Sequence, residues 1–170
     1  QQYLVQFPDG RLQALGIGPG SKVGLFLPNC PSFVIFYYAT LRAGATVVNF
    51  NPLYSHEELT FQVNDSETDL MVTLDLKVLF GKVERLLKEG HLHRAGVCSF
   101  VGLLPATKSV LFRLLKSKEL AHTANSPVAS KIIAESSVLA NDGVYNKVAV
   151  DPLEDIAFLQ YTGGTTGTPK

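Results

Sequence analysis

No tryptophan occurs among the 170 residues, and methionine occurs once. Two cysteines, Cys30 and Cys98, stand far apart without a CxxC pair. That spacing argues against a disulfide framework or a cysteine-based metal site, and a reduced, cytoplasmic protein is the simpler expectation. Charge is also scarce. Asp, Glu, Lys and Arg make up 18% of the chain, and 15 basic residues balance 15 acidic ones. A net charge of zero removes any global argument for a nucleic-acid partner. The longest nearly apolar run, Phe33 to Leu41, holds nine residues, against the roughly 20 that a membrane-spanning helix needs. No basic-then-apolar leader opens the sequence, and no tract is of low complexity.

What is present is ordinary in bulk and ordered in detail. Apolar residues make up 46%, within the globular range, and the length is enough to bury a sizeable core. The low charge suits a piece of a larger body, part of whose surface is covered. Val23 to Leu27 reads as a buried strand ended by Pro28-Asn29. Pro31 then starts a helix with Phe33, Phe36, Tyr37 and Leu41 at helical spacing and Gly44 as its stop. That helix is apolar nearly all round, which predicts burial on several sides. Ala45 to Val48 is a second strand. Ser55 and Glu58 form a capping box that opens the next helix. Leu70 to Thr73 is a third strand, and Asp75 is placed to cap a third helix with Leu76, Leu79, Val83 and Leu86 inward and Gly90 at its end. Val97 to Val101 is a fourth strand. The strands begin near 23, 45, 70 and 97, one every 22 to 27 residues. A repeating strand–helix unit of that length predicts an α/β fold, a mostly parallel sheet with helices on both faces.

The remaining segments are less regular. Arg11 to Leu15 reads as a helix end closed by Gly16. Gly16-Ile-Gly18-Pro-Gly20 has the look of a dinucleotide fingerprint, but it precedes a strand and contains Pro19, so it is a turn. Residues 102–122 alternate Leu103, Leu104, Val110, Leu111, Leu114 and Leu115 with Lys108, Arg113, Lys116 and Lys118. This predicts a basic amphipathic helix, with two readings. The plainer one is a helix packed on its own fold or on an adjoining part of it. The functional one is peripheral contact with an anionic membrane surface at the inner leaflet. Lys131 to Ile133 and Val138-Leu139 read as short strands, Asn141-Asp-Gly143 as a turn, and Ile156 to Tyr161 as a last strand after Asp151-Pro-Leu-Glu-Asp155. His91 and His93 have ligand-like spacing, but no third ligand is in sight, and they fall at a helix end. No Ser-His-Asp order is present.

The chemistry is concentrated after that last strand, in Thr162-Gly163-Gly164-Thr165-Thr166-Gly167-Thr168-Pro169-Lys170. Glycines let the backbone take positive φ and let a ligand approach the main chain. Successive bare N–H groups make a concavity suited to an anion. Threonine hydroxyls donate to phosphate oxygens or meet a hard cation, and Lys170 adds a point charge. Phosphate fits this set best. The stretch is not a Walker loop, because Pro169 separates Gly167 from Lys170 and opposes the helix that motif opens.

From Tyr161 onward the string closely resembles the phosphate-binding motif of the adenylate-forming superfamily, which includes acyl-CoA synthetases, aryl-CoA ligases, luciferases and peptide-synthetase adenylation domains. The usual form there is Tyr-Thr-Ser-Gly-Thr-Thr-Gly-x-Pro-Lys-Gly. Eight or nine of ten positions match, with Gly163 where Ser is commonest. The Thr-Gly-Gly variant is most similar to long-chain fatty acyl-CoA ligases, as is the approach Ala157-Phe-Leu-Gln-Tyr161. The stretch Val23 to Ser66 also resembles the superfamily, through Val-Gly-Leu-Phe-Leu-Pro-Asn, Leu-Arg-Ala-Gly-Ala and Asn-Pro-Leu-Tyr.

This resemblance implies that the chain is the opening part of an N-terminal adenylation domain. Strand–helix units would occupy about 21–101, a helical insertion 102–122, and a strand with the phosphate loop 151–170. The acyl pocket, the acidic Mg²⁺ and ribose ligands and the C-terminal domain would lie downstream. It implies ATP, Mg²⁺ and CoA as cofactor and co-substrates, and a fatty acid as substrate. Thr162, Gly163, Gly164, Thr165, Thr166, Gly167, Thr168 and Lys170 would hold the nucleotide phosphates, with Thr162 also meeting Mg²⁺. The loop is expected to be poorly ordered without ATP, and the fragment alone to lack ligase activity. A homodimer is compatible with this reading. Two alternatives stay open: an adenylate-forming enzyme for aryl or amino acids, and a non-catalytic nucleotide- or acyl-binding module.

Overall fold

The computed structural model describes residues 9–139 and 144–162. A short helix α1 (Asp9–Ala14) ends at Gly16, whose φ of 82° needs no Cβ. Then strands and helices alternate: β1 (Lys22–Leu25), α2 (Pro31–Arg42), β2 (Thr46–Asn49), α3 (His56–Ser66), β3 (Leu70–Leu74), α4 (Lys77–Glu89) and β4 (Arg94–Cys98). After helix α5 (Ala106–Lys116) come β5 (Ile132–Ala134), α6 (Glu135–Leu139) and β6 (Phe158–Gln160). The six strands form one sheet in the order β5-β4-β3-β1-β2-β6, and every pairing is parallel.

The order explains the layers. The chain passes from β1 to its neighbour β2 through α2, then returns across β1 to β3 through α3. Right-handed crossovers in opposite directions place α2 and α3 on opposite faces. Strands covered on both faces are apolar throughout: β3 is buried at all five positions. Phe26, Phe36, Phe50, Leu59, Met71 and Leu86 are among the largest fully buried side chains.

Helix α3 opens with the expected box. Ser55 Oγ accepts from Glu58 N at 3.2 Å, and Glu58 Oε2 accepts from Ser55 N at 2.7 Å. Leu79, Val83 and Leu86 of α4 point inward, and Gly90 closes it at φ 84°.

Several expectations are corrected. Asp75 does not cap α4. Leu76 holds the N-cap position without a side-chain bond, and Asp75 Oδ1 instead accepts from Phe100 N at 2.7 Å. The fourth strand starts at Arg94, because Arg94 and Ala95 already pair with Leu70 and Met71, and Val101 begins a 3-10 turn. The last strand is limited to Phe158–Gln160, which pair with Val47–Asn49. Val138 and Leu139 end a short helix rather than forming a strand; two apolar residues cannot separate a period of 2 from one of 3.6. Helix α2 is not buried on several sides. Phe36, Ala39 and Thr40 are buried, while Val34 and Tyr38 are 52% and 51% exposed. The helix expected over 102–122 is continuous only from Ala106 to Lys116, between 3-10 turns at Val101–Leu103 and Ser117–Glu119. Pro105 sets its start by holding Leu104 extended. The expected turn at 141–143 lies outside the described residues.

Candidate functional site

In an all-parallel sheet every strand presents its C-terminal end along the same edge, and that edge is where α/β folds place ligands. β6 ends there beside β2. Asn49 and Gln160 are register partners, and Asn49 Nδ2 donates to Gln160 Oε1 at 2.8 Å. The pair is held from below, since the buried Gln62 of α3 donates through Nε2 to the Asn49 carbonyl at 2.9 Å. Gln160 Nε2 donates to the Tyr161 carbonyl at 3.0 Å, and the Tyr161 hydroxyl donates to Asp65 Oδ2 of α3.

The other end of β6 is fixed by packing. Phe158 lies against Tyr37 of α2, with ring centroids 5.9 Å apart, and Tyr37 stacks on Phe33 at 6.2 Å. The aromatic set of α2 is therefore partly a platform for β6. Thr46 Oγ1 donates to the Ile156 carbonyl at 2.8 Å, securing the approach to the strand.

Thr162 follows this frame directly and is exposed at the sheet edge. The other expected phosphate-loop residues, Gly163, Gly164, Thr165, Thr166, Gly167, Thr168 and Lys170, lie outside the described residues. What the structure supplies is the mount: a strand end pinned by one amide pair and one phenol–carboxylate bond. Burial, and then the bond to Asp65, pushes the Tyr161 phenol up to about 12. The group thus stays a neutral donor through the physiological range.

Asn49, Gln62 and Asp65 are parts of this mount that sequence reasoning missed. Each is an ordinary polar residue locally, and its role appears only when β6 returns beside β2 more than a hundred residues later. His91 Nδ1 lies 3.2 Å from Asn64 Oδ1. Among the described residues no group of three His, Cys, Asp or Glu side chains is placed to hold a metal ion. Cys30 is half-buried and Cys98 buried, both as free thiols, and burial pushes the Cys98 thiol up. No described helix is long and apolar enough to cross a membrane.

Comparison with known proteins places this frame. The family described as AMP-binding enzyme matches residues 10–170. A long-chain-fatty-acid–CoA ligase of Bacillus subtilis is 36% identical over 159 residues, covering 94% of this chain and 28% of its own length. The corresponding ligase of Escherichia coli O157:H7 is 34% identical over 163 residues, covering 93% of this chain and 28% of its own. The crystal structure of a long-chain-fatty-acid–CoA ligase from Archaeoglobus fulgidus superposes with a TM-score of 0.67 at 26% identity, over 98% of this chain and 27% of that one. The chain thus spans little more than a quarter of the length of the proteins it matches.

Proposed function

The chain belongs to the AMP-binding enzyme family, and we propose that the whole protein is a long-chain fatty acid–CoA ligase. The carrying observation is the placement of Tyr161-Thr162, which the Gly/Thr stretch follows in the sequence. These two residues leave the carboxyl edge of a parallel sheet from a strand end held by bonds of five side chains, Asn49, Gln62, Asp65, Gln160 and Tyr161. In this reading the acid's carboxylate attacks the α-phosphorus of ATP, giving acyl-adenylate and pyrophosphate. A CoA thiolate then attacks the acyl carbon and AMP leaves.

The first step moves negative charge onto departing pyrophosphate. Fixed donors aimed at that charge lower the barrier, so positioning matters more than a protein nucleophile. Thr165 and Thr166, with the backbone N–H groups of Gly163, Gly164 and Gly167, would bind the β- and γ-phosphates, and Lys170 would add a cation. Thr162, exposed at the sheet edge, would offer its hydroxyl to the same phosphates. Magnesium, when bound, neutralises phosphate charge. Thr162 would offer it a hydroxyl, and the ATP phosphates would supply further oxygen ligands.

The test is pyrophosphate release by the full-length protein with ATP and Mg²⁺ across fatty, aryl and amino acids. Release with long-chain fatty acids is the expected result. Release only with aryl or amino acids would keep adenylation and discard the fatty acid. No release with any acid would discard the ligase reading.

A further inference from the structure

The peptide that joins Tyr161 to Thr162 lies past the last register pair of β6, Asn49 with Gln160. Its carbonyl is held all the same. Gln160 Nε2 donates to the Tyr161 oxygen at 3.0 Å. No peptide among the described residues is cis, and in a planar trans peptide the C=O and the N–H point in opposite directions. A bond that fixes the Tyr161 carbonyl therefore also fixes the direction of the Thr162 N–H, the first backbone donor of the Gly/Thr stretch.

That bond needs the Gln160 amide in one sense only. A glutamine amide carries an acceptor and a donor side by side, and turning it over exchanges them. Gln160 Oε1 accepts from Asn49 Nδ2 at 2.8 Å, which leaves Nε2 for the Tyr161 carbonyl. Turned over, the amide would set nitrogen against the Asn49 nitrogen and oxygen against the Tyr161 oxygen. Asn49 thus decides which way Gln160 faces.

The end of β2 is tied down in turn by α3. Gln62 Nε2 donates to the Asn49 carbonyl at 2.9 Å. Gln62 is fully buried, and its Oε1 meets no hydrogen-bond partner among the described residues. A buried amide used on one side only costs the fold the desolvation of its other atom. Such an atom calls for an explanation beyond packing, and functional sites are where a fold keeps features of this kind.

We propose that Gln62, Asn49 and Gln160 are positioning residues, a relay of three amides that aims the Thr162 N–H at the phosphates of ATP. The relay rests on the nucleotide-binding part of the reading above and names what orients its first donor. Each of the three amides directs its donor to the next member or to a main-chain carbonyl, so the relay acts through the backbone.

The experiment uses the full-length protein and its variants Gln160→Met, Asn49→Leu and Gln62→Met. Calorimetry gives the Kd for ATP with Mg²⁺, pyrophosphate release gives KM and kcat, and melting curves are taken without nucleotide. One misaimed donor to a charged phosphate oxygen should raise the Kd and KM for ATP about tenfold in Gln160→Met. The KM for the fatty acid should not move, and kcat at saturating ATP should change less than the KM for ATP. Asn49→Leu combined with Gln160→Met should bind ATP no worse than Gln160→Met alone, because Asn49 acts through Gln160. Gln62→Met should weaken ATP binding with a melting temperature at or above the wild-type value.

Lowered melting temperatures with unchanged constants for ATP would make the three amides structural and overturn the relay. Losses that multiply in the double variant would do the same. Wild type that binds ATP, with variants that bind it equally well, would overturn the relay and leave the nucleotide site standing. Wild type that binds no ATP would overturn both. ATP binding that the variants weaken, without pyrophosphate release from any acid, would support the relay and discard the ligase reading.

Discussion

The Tyr161 hydroxyl donates to the Asp65 carboxylate across 96 residues of sequence. β6 is three residues long, so its ladder alone fixes the strand end weakly. The phenol bond therefore does much of the work of setting where the chain leaves the sheet. Tyr161→Phe keeps the ring and removes the bond, at an expected cost of about 1 kcal/mol in stability. If the following Gly/Thr segment binds ATP phosphates, the variant should raise the KM for ATP several-fold more than it lowers kcat. Asp65→Asn, which keeps an acceptor, should be close to wild type, and Asp65→Ala should resemble Tyr161→Phe. An unchanged KM for ATP in Tyr161→Phe would show that the bond does not position the loop.

The same bond is visible in a titration. Burial first, and the Asp65 carboxylate second, raise the Tyr161 phenol from 10.0 to about 12. The folded chain holds this proton more tightly than the unfolded chain. Its contribution to stability is therefore complete below about pH 10 and is lost as the pH rises toward 12. With six tyrosines in the chain, the readout is a difference: tyrosinate absorbance of wild type minus Tyr161→Phe. That difference should rise with a midpoint near 12, and a midpoint near 10 would contradict the geometry.

Local signals were legible and long-range ones were not. Ser55 and Glu58 announce α3, and Leu79, Val83 and Leu86 announce the buried side of α4, because each pattern fits within one or two helical turns. The strand–helix rhythm follows from such signals and gives parallel strands. The sheet order does not follow, since β1 between β3 and β2 is a choice made by packing. Asp75 looked like a cap because it precedes a helix, but the Phe100 N–H from a neighbouring strand end claimed its carboxylate. Asn49, Gln62 and Asp65 carry no motif, so their meeting with β6 could not be read from the chain. The stripe on α5 was plain in the sequence; which way it faces was not.

Gly24 tests the packing under the site. A Cβ there would lie 2.7 Å from Phe50 Cε2 and 3.0 Å from Thr68 Cγ2. Phe50 is fully buried and cannot swing aside. Gly24→Ala should cost about 1–3 kcal/mol through overpacking, read as a lower urea midpoint with an unchanged m-value. Gly81, in the middle of α4, is the control, since nothing lies within 4 Å of a Cβ built there. Gly81→Ala should raise stability by about 0.5–1 kcal/mol. Equal midpoints for the two variants would refute this account of β1.

Asp75 predicts a pH-dependent difference. Burial raises its carboxyl above the ordinary value of 3.8, the Phe100 N–H opposes the shift, and the nearby Glu135 adds to it. A raised folded value means the fold prefers the protonated form. The stabilisation from this group is complete below the unfolded value and is lost as the pH rises through the folded one. Asp75→Asn mimics the protonated form and still accepts from Phe100. Its melting temperature relative to wild type should therefore be more favourable at pH 7 than at pH 4. A difference independent of pH would show that Asp75 is not penalised by burial.

Thr165 and Thr166 decide whether the segment after β6 does the chemistry proposed for it. Thr→Ala at either position removes a hydroxyl and keeps the backbone N–H. A donor that meets charge developing on departing pyrophosphate contributes on the order of a hundredfold in rate. Each single variant of the full-length protein should therefore slow fatty acid-dependent pyrophosphate release by about that factor. The double variant should fall short of the product of the two, because donors to one phosphate group share the same charge and do not act independently. The melting temperature without nucleotide should stay at the wild-type value, the result expected of hydroxyls that serve bound phosphate. Pyrophosphate release at the wild-type rate would remove both threonines from the phosphate site. A lowered melting temperature with a proportionate loss of rate would make their role structural.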